Sequence, residues 1–404
     1  GTTPFFVILM VVSILLCGSC RSGDNGSEDT GPTDPETPTE SACTRVPLEV
    51  TGTVVSVTDI DGLLAAVEQA NRDGNTTIQL EDGTYYLTDM LVIRGEGVTV
   101  RSRSGERERV ILYGQGMGGP VTHIFNVTGS RFCAADLTLG RVANHAVQIH
   151  SSCDEPVLHN LHIVDAGEQL VKVSYVPGNS ESSEDGLMEW CLLEYTAGIG
   201  PQYYIGGIDA HQADDWIVRH NTFRSIRSPD DDLAEHAVHF WSGSRRTLVE
   251  HNLVVDCDRG IGFGLGDRAH HQGIIRNNMI YVTRDVGIGL ESCDGAEVVG
   301  NTIFCENYTN AMEYRFTASR DNHIADNLCN ASIASRDGGS ATLSGNMTDA
   351  VSSWFVDVSN GDLHLSSSSL PPVDAGQVLE NVTVDFDCET RPKGAAPDVG
   401  ADEL

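Results

Sequence analysis

The chain has 404 residues, with 58 acidic and 25 basic side chains and a formal net charge of −33 at pH 7. Such a surface repels nucleic acid, which excludes a DNA- or RNA-binding role, and it disfavours a bare polyanionic glycan unless the site is locally basic or carries Ca²⁺. The length allows one large domain or two, and repetition along most of the chain favours one elongated domain.

Residues 1–20 are predicted to be a lipoprotein-type signal peptide. The apolar run from Phe5 to Cys17 is short for a membrane span but suits the core of a secretory signal. The segment Leu16-Cys17-Gly18-Ser19-Cys20 resembles the cleavage site of bacterial lipoproteins, so Cys20 is the predicted lipidation site, with a plain secretory signal as the alternative. Residues 21–42 have the composition of a flexible acidic linker. We therefore expect an exported protein, anchored by lipid to a bacterial membrane and facing the periplasm or the cell surface.

A short amphipathic helix is predicted from Ile60 to Ala70, with Asp59 or Asp61 as its cap. The stretch from Thr77 to Leu87 follows as strand, turn and strand. A helix at this place would cover the open end of a repetitive sheet structure and protect its edge.

A five-residue pattern of small, apolar, any, apolar, any then returns eight times, every 20 to 37 residues. Apolar residues two apart predict a strand with one buried face, and the regular return predicts one such strand per turn of a solenoid. The copies begin at Ala146, Leu170, Gly207, Ala237, Gly260, Gly287, Ala311 and Ser332.

Asparagines mark a second period, each ahead of a short apolar run. Stacked asparagine side chains can bond their neighbours along a solenoid, and asparagine tolerates a left-handed corner. These residues are Asn160, Asn221, Asn252, Asn278, Asn301, Asn327 and Asn346, with Asp136 and Cys191 at the equivalent place in two coils. The two periods together predict an all-β fold, a single-stranded right-handed parallel β-helix (solenoid) with an N-terminal capping helix.

The helix-capped start, the asparagine-marked coils and the tail from Asp385 to Glu403 resemble secreted bacterial proteins of the pectate-lyase-like superfamily. The N-terminal half is most similar to polysaccharide lyases of the alginate-lyase and chondroitinase-B type. The resemblance covers roughly residues 45–404, and within them we predict a β-helix over residues 43–349, closed by a loop-rich segment over 350–404. It also implies a catalytic Lys/Arg pair on neighbouring coils with a Ca²⁺-binding acidic cluster, of which Lys172 is the match here.

The two outward positions of the repeat predict the site. The first column contains Lys172, Asp209, His239 and Glu313, and the second contains His211, Trp241, Glu291 and Arg315. Glycines at 262, 264 and 289 would leave a bare floor for a sugar ring. The longest loops flank the same coils, and long loops in a compact solenoid are often functional.

The favoured function is a polysaccharide lyase that cleaves an acidic glycan by β-elimination. The predicted catalytic residues are Lys172, Asp209, His211 and His239, and either Lys172 or His239 would remove the proton beside a uronate carboxylate. The predicted substrate-binding residues are Trp241, Arg245, Arg268, Glu291, Glu313 and Arg315. Asp214 and Asp215 are the candidate ligands for Ca²⁺.

Two alternatives remain open at this point. Glu291 and Glu313 lie on adjacent coils at a diagonal near 8 Å, which suits the pair of an inverting glycoside hydrolase. A non-catalytic glycan-binding or scaffold lipoprotein is the other alternative, because repetition alone builds such surfaces. The expected partners are a polysaccharide and, through the lipid, a membrane, and the protein is expected to be a monomer.

The cysteines allow disulfides in an exported protein. Cys133–Cys153 and Cys305–Cys329 are the expected pairs because they lie on neighbouring coils, whereas Cys191 is expected to be buried and free.

Overall fold

A computed structural model describes residues 43–178 and 180–404, so the predicted signal peptide, the lipidation site Cys20 and the linker 21–42 lie outside the described residues. Three parallel sheets of 12, 10 and 10 strands run side by side, and the chain visits them in turn. The result is a β-solenoid of about 11 turns, which confirms the predicted parallel β-helix. No helix of the described ranges is long and apolar enough to cross a membrane.

Sheet 1 has the strands Thr53–Val57, Thr76–Leu80, Thr99–Ser102, Cys133–Ala135, Val157–His159, Leu187–Glu189, Ile217–Arg219, Leu248–Glu250, Ile274–Arg276, Glu297–Val299, Asn322–Ala325 and Ala341–Ser344. Sheet 2 has Gly83–Tyr86, Val110–Tyr113, Thr138–Val142, His162–Ala166, Leu192–Glu194, Thr222–Arg224, Leu253–Cys257, Met279–Val282, Thr302–Cys305 and Leu328–Cys329. Sheet 3 has Leu91–Ile93, Phe125–Val127, Val147–Ile149, Val171–Val173, Ile208–His211, Val238–Trp241, Ile261–Phe263, Ile288–Glu291, Asn310–Arg315 and Ser332–Arg336. A narrow sheet 4 has Ser183–Glu184, Ala213–Asp214, Ser244–Arg245, His270–His271 and Cys293–Asp294.

Alternation along the strands of sheet 3 sets which side chains face the core. Val171 and Val173 are fully buried in the central hydrophobic cluster. Lys172, which lies between them on the same strand, points to the outer face. Each buried valine or isoleucine of this kind contributes about 1.5–3 kcal/mol. A slip of one residue would exchange the two faces, so the alternation fixes the pairing between coils.

The N-terminal end of the solenoid is covered by the helix Ile60–Asp73. The Asp59 side chain caps it by accepting a 2.8 Å hydrogen bond from the Gly62 N–H. One face, which includes Leu63, Val67 and Ala70, is buried in the solenoid core against the first strands of sheets 1 and 3. The capping helix is confirmed, and it runs three residues beyond the predicted end at Ala70.

The predicted asparagine ladder forms in the second half of the solenoid. Asn278 Oδ1 accepts from the Asn252 backbone N–H at 2.9 Å and from Asn252 Nδ2 at 3.0 Å, and Asn278 Nδ2 donates to Asn301 Oδ1 at 2.9 Å. The same contacts continue through Asn327 to Asn346.

Two members of the predicted ladder stand one position away from it. Strand Val157–His159 pairs with Leu187–Glu189, which places Asn160 opposite Trp190 rather than Cys191. Asp136 and Asn160 both have positive φ and occupy the left-handed corner that immediately precedes a ladder position. Asparagine tolerates that conformation well, so the residue type alone does not separate the two positions.

The C-terminal segment from residue 350 contains the 3₁₀ turns Ser352–Trp354 and Val358–Asn360 and the antiparallel strands Phe355–Asp357 and Asp362–Leu365. Phe355 and Leu363 pack with Met279 and Leu328 on the outer face of sheet 2. The segment therefore covers the side of the solenoid away from sheet 3.

A disulfide joins Cys43 to Cys388 across 345 residues of sequence. Cys133, Cys153, Cys305 and Cys329 are free, so the predicted pairs between coils are wrong. The pairing of Ile303 with Cys329 shows why, because it places Cys305 two residues beyond the position that faces Cys329. Cys191 is buried and free, as expected.

Candidate functional site

The first predicted column forms on the outer face of sheet 3. Lys172 pairs with Asp209, Asp209 with His239, His239 with Gly262, Gly262 with Gly289, and Gly289 with Glu313. In the second column, His211 pairs with Trp241 and Glu291 with Arg315. The strand spacing alone thus brings the predicted polar residues into two adjacent lines.

Lys172, Asp209 and His211 form one hydrogen-bonded cluster, which we call the lysine cluster. Lys172 Nζ donates to Asp209 Oδ2 and lies 3.0 Å from His211 Nε2. The indole N–H of Trp241 donates to the other Asp209 oxygen at 2.6 Å, and Ser242 Oγ lies 2.9 Å from His211 Nδ1. The three residues of the cluster are 8%, 2% and 6% exposed, so wall residues shield them although they lie on the outer face.

The protonation states of the lysine cluster follow from this burial. Burial lowers the pKa of His211 to about 3, and nearby Asp209 offsets only part of the effect, so the imidazole is neutral near pH 7. Burial alone would raise the pKa of Asp209, but the positive charge and the hydrogen bond of Lys172 bring it below its ordinary value. The result is an ionised carboxylate held against a lysine and a neutral imidazole.

An aromatic surface borders the lysine cluster. The His211 ring stacks against Tyr175 at 4.8 Å and meets the half-buried Trp241 at 4.4 Å between centroids. The guanidinium carbon of Arg268 lies 4.9 Å from the centre of a Trp241 ring. Arg268 is exposed and forms no ion pair with any described residue, so its charge is available to an anion.

His239 lies deeper than predicted. It is 0% exposed and stacks on Trp241 at 5.0 Å, so it does not reach the surface that a substrate would contact. Its Nε2 atom lies 3.2 Å from the Gly264 carbonyl oxygen. Its Nδ1 atom faces two carboxylates, Asp209 Oδ1 at 3.6 Å and Glu235 Oε2 at 3.8 Å.

Beside His239 stand Glu235 and His236, which the sequence reasoning missed. One donor atom from each of the three residues lies within 4.8 Å of the other two. Burial holds the pKa of His236 well below its ordinary value, so this imidazole is also neutral. The segment Glu235-His236-Ala237-Val238-His239 could have signalled the cluster, but histidines three apart point to opposite faces of a strand. They converge because His236 precedes the strand Val238–Trp241.

The glycine floor is partly covered. The ring of His236 lies over it, since a Cβ atom added at Gly262 would be 2.8 Å from that ring. Next to it is a cavity of about 250 Å³, lined among others by His236, Gly289, Glu291, Glu313 and Arg315. Gly289 lines this cavity, and a Cβ atom added there would meet the His236 ring at an ordinary contact distance of 3.6 Å.

The predicted arginines and acidic loop residues divide into pairs. Arg245 Nε lies 3.3 Å from Asp214 Oδ2, and Arg246 binds Asp215 through two hydrogen bonds of 2.6 and 2.5 Å. The two carboxylates predicted to bind Ca²⁺ are thus both paired with arginines. Neither Asp214 nor Asp215 belongs to a group of three or more metal-ligating side chains in the described ranges.

Glu291 and Glu313 are also paired with arginines. Arg315 Nη1 lies 3.0 Å from Glu291 Oε1, and the Gly266 N–H donates to the other oxygen at 2.8 Å. Glu313 accepts from Tyr308, Asn310 and Arg336, each at 2.8 Å. Carboxylates held this way act as hydrogen-bond acceptors and structural anchors.

Several known proteins resemble parts of this chain. A family model described as periplasmic copper-binding protein (NosD) matches residues 197–352. No curated protein matches. Pectate lyase Pel9A is 13% identical, with a TM-score of 0.47 over 83% of this chain and 90% of that chain. An alginate lyase from Paenibacillus sp. is 14% identical, with a TM-score of 0.43 over 63% and 95%. An endo-xylogalacturonan hydrolase from Aspergillus tubingensis is 10% identical, with a TM-score of 0.44 over 76% and 97%.

Proposed function

We propose that this protein is a carbohydrate-active enzyme that cleaves an acidic glycan by β-elimination at the lysine cluster. The observation that carries the proposal is the buried lysine, carboxylate and neutral imidazole at the edge of an aromatic surface. A buried ion pair stabilises a fold less than well-packed apolar side chains of similar volume. Ionisable groups whose pKa is strongly shifted concentrate at functional sites, so both features favour a functional role for the lysine cluster.

The cluster supplies the groups that β-elimination needs. An ammonium has three N–H donors, so Lys172 can keep its bond to Asp209 and exchange its bond to His211 for one to a uronate carboxylate. Arg268 offers a second cation on the face of Trp241. These charges stabilise the negative charge that develops when the neighbouring carbon loses its proton.

His211 is the proposed base. When Lys172 turns towards a substrate carboxylate, the Nε2 lone pair of His211 becomes free to accept the proton. The added negative charge beside the imidazole raises its affinity for that proton. The bond between the β carbon and the glycan oxygen then breaks, the double bond forms, and the leaving oxygen takes a proton from the Lys172–His211 pair or from water. Asp209 holds Lys172 in place, and buried His239 has a positioning role.

The test uses polygalacturonate, alginate, chondroitin and hyaluronan as substrates and follows the ultraviolet absorbance of the unsaturated uronate. His211→Gln and Lys172→Met should each lower kcat/KM by about 10²-fold or more. His162→Gln is the matched control, because His162 pairs with Glu194 at 2.8 Å on sheet 2. Equal activity of His211→Gln and wild type would refute the proposed base.

The same assay separates the alternatives. New reducing ends without unsaturated product would support hydrolysis, although the arginine pairing of Glu291 and Glu313 gives that reaction no free acid. Binding without turnover of any polymer would support a glycan-binding scaffold.

We also propose export with a lipid anchor at Cys20. Support comes from the Cys43–Cys388 disulfide, which suits an oxidising compartment, and from the periplasmic description of the family model. Cys20→Ser should move the expressed protein from the membrane fraction to the soluble fraction. Continued membrane retention would show that another segment anchors the chain.

A further inference from the structure

We propose that Glu235, His236 and His239 form a binding site for a divalent first-row transition-metal ion. The proposal does not rest on the glycan activity, because it is argued from donor atoms that the rest of the fold leaves without partners.

Each of the three residues carries a buried atom that no hydrogen bond satisfies. Glu235 Oε2, His236 Nδ1 and His239 Nδ1 have no hydrogen-bond partner. His236 is 7% and His239 0% exposed, so water does not readily take that role. A buried polar atom left unpaired costs about 1–3 kcal/mol, and one such atom on each of three neighbouring residues is unusual unless something binds them.

The tautomer of His239 strengthens the argument. The Gly264 carbonyl can only accept a hydrogen bond, so Nε2 of His239 carries a hydrogen, and in the tautomer with a single ring hydrogen the lone pair lies on Nδ1. That lone pair faces carboxylate oxygens of Asp209 at 3.6 Å and Glu235 at 3.8 Å. A lone pair directed at two anions is unfavourable unless a cation lies between them. A proton on Nδ1 is the simplest cation, but both distances are too long for an N–H···O hydrogen bond.

The geometry fits a metal better than a proton. Two imidazoles and a carboxylate are a common donor set for zinc, copper, nickel and iron. Metal–nitrogen bonds of about 2.0–2.1 Å place tetrahedral ligands about 3.3 Å apart. The donors here lie within 4.8 Å of one another, and Glu235 Oε2 lies 3.8 Å from His239 Nδ1, so small side-chain movements close the site.

Near this site lie one cation that could compete with a metal for Glu235, which is Arg259, and one cavity. Arg259 Nη1 lies 4.0 Å from Glu235 Oε2, but Arg259 makes its closer contact, 3.1 Å, with Asp285. His236 lines the cavity of about 250 Å³. A metal held by three protein ligands would therefore have its remaining coordination position towards this cavity.

The experiment uses the full exported chain without a histidine tag, stripped with a chelator and titrated separately with Zn²⁺ and Cu²⁺. We expect one tightly bound equivalent per chain by elemental analysis and calorimetry. Loss of an outer-shell partner lowers metal affinity by about 10–100-fold. Glu235→Gln, a near-isosteric change, and His236→Asn each remove a proposed ligand, so each should lower the metal affinity by more than that. His364→Asn is the matched control, because it alters a second ligand cluster among the described residues, formed by His364, Asp387 and Asp402.

A spectroscopic readout keeps the test independent of folding defects. The electron paramagnetic resonance spectrum of bound Cu²⁺ should show two imidazole nitrogens in wild type and one in His236→Asn, with melting curves to verify folding. Less than one equivalent in wild type, or undiminished binding in both ligand variants, would overturn the proposal. So would a ¹⁵N spectrum in which His239 stays an imidazolium after metal is added.

Discussion

Replacing Asn278 with alanine tests how much the asparagine ladder contributes to stability. Its side-chain oxygen accepts from the backbone N–H and Nδ2 of Asn252, and its amide donates to the carbonyls of Val249 and Arg276 and to Asn301 Oδ1. The amide has only two hydrogens, and Asn252 Nδ2 keeps other acceptors, so the substitution removes about three net hydrogen bonds.

Each net bond contributes about 0.5–1.5 kcal/mol, and the Asn252 N–H left unpaired in the interior costs about 1–3 kcal/mol more. The free energy of unfolding should therefore fall by about 3 kcal/mol or more. Urea denaturation followed by circular dichroism measures it. Asn307→Ala is the control, because Asn307 makes a single 2.9 Å bond to the Thr283 carbonyl and should cost about 1 kcal/mol. Equal losses in the two variants would show that the ladder is not a principal source of stability.

Two further predictions concern pH and the glycine floor. Burial lowers the pKa of His251 to about 3 from 6.5, so between these values the unfolded chain binds the proton and the folded one does not, and stability falls as the pH falls. His251→Gln should reduce that acid-induced loss by up to about 1.4 kcal/mol per pH unit. The measurement is the free energy of unfolding of the variant and of wild type at several pH values. If this free energy depends on pH equally in the two proteins, the assignment to His251 is contradicted. Gly262→Ala should weaken metal binding, because its Cβ would be 2.8 Å from the His236 ring and would displace that ring. Gly289→Ala should leave metal binding unchanged, because its Cβ would meet only ordinary contacts at 3.5 and 3.6 Å. Equal metal affinities in the two glycine variants would argue against His236 as a ligand.

The pairing of sheet 3 was predictable residue by residue, because a buried strand face tolerates no one-residue slip. Lys172, Asp209 and His239 therefore line up as expected. The burial of the site residues was not predictable, because it depends on the loops beside sheet 3, whose sequences do not follow the repeat. His239 was expected on an open face and is fully buried.

His236 shows a second limit of the sequence. It stands just before a strand, and only the path of the preceding loop brings it over Gly262. The Cys43–Cys388 bond shows a third limit, because no local pattern relates residues 345 apart.

That bond also bears on how the solenoid resists fraying. In a solenoid each coil contacts only its neighbours, so unravelling can start at either end and move inward. Arg101 bonds the Leu48 carbonyl on the N-terminal stretch, and His251 and Asn277 bond the carbonyls of Asp385 and Val384 on the C-terminal one. Cys43 and Cys388 meet beside Trp190 and His220, at the middle coils. The two stretches thus form a covalently closed strap along one flank, and a terminal coil that peels away must first detach the strap from coils far from that end.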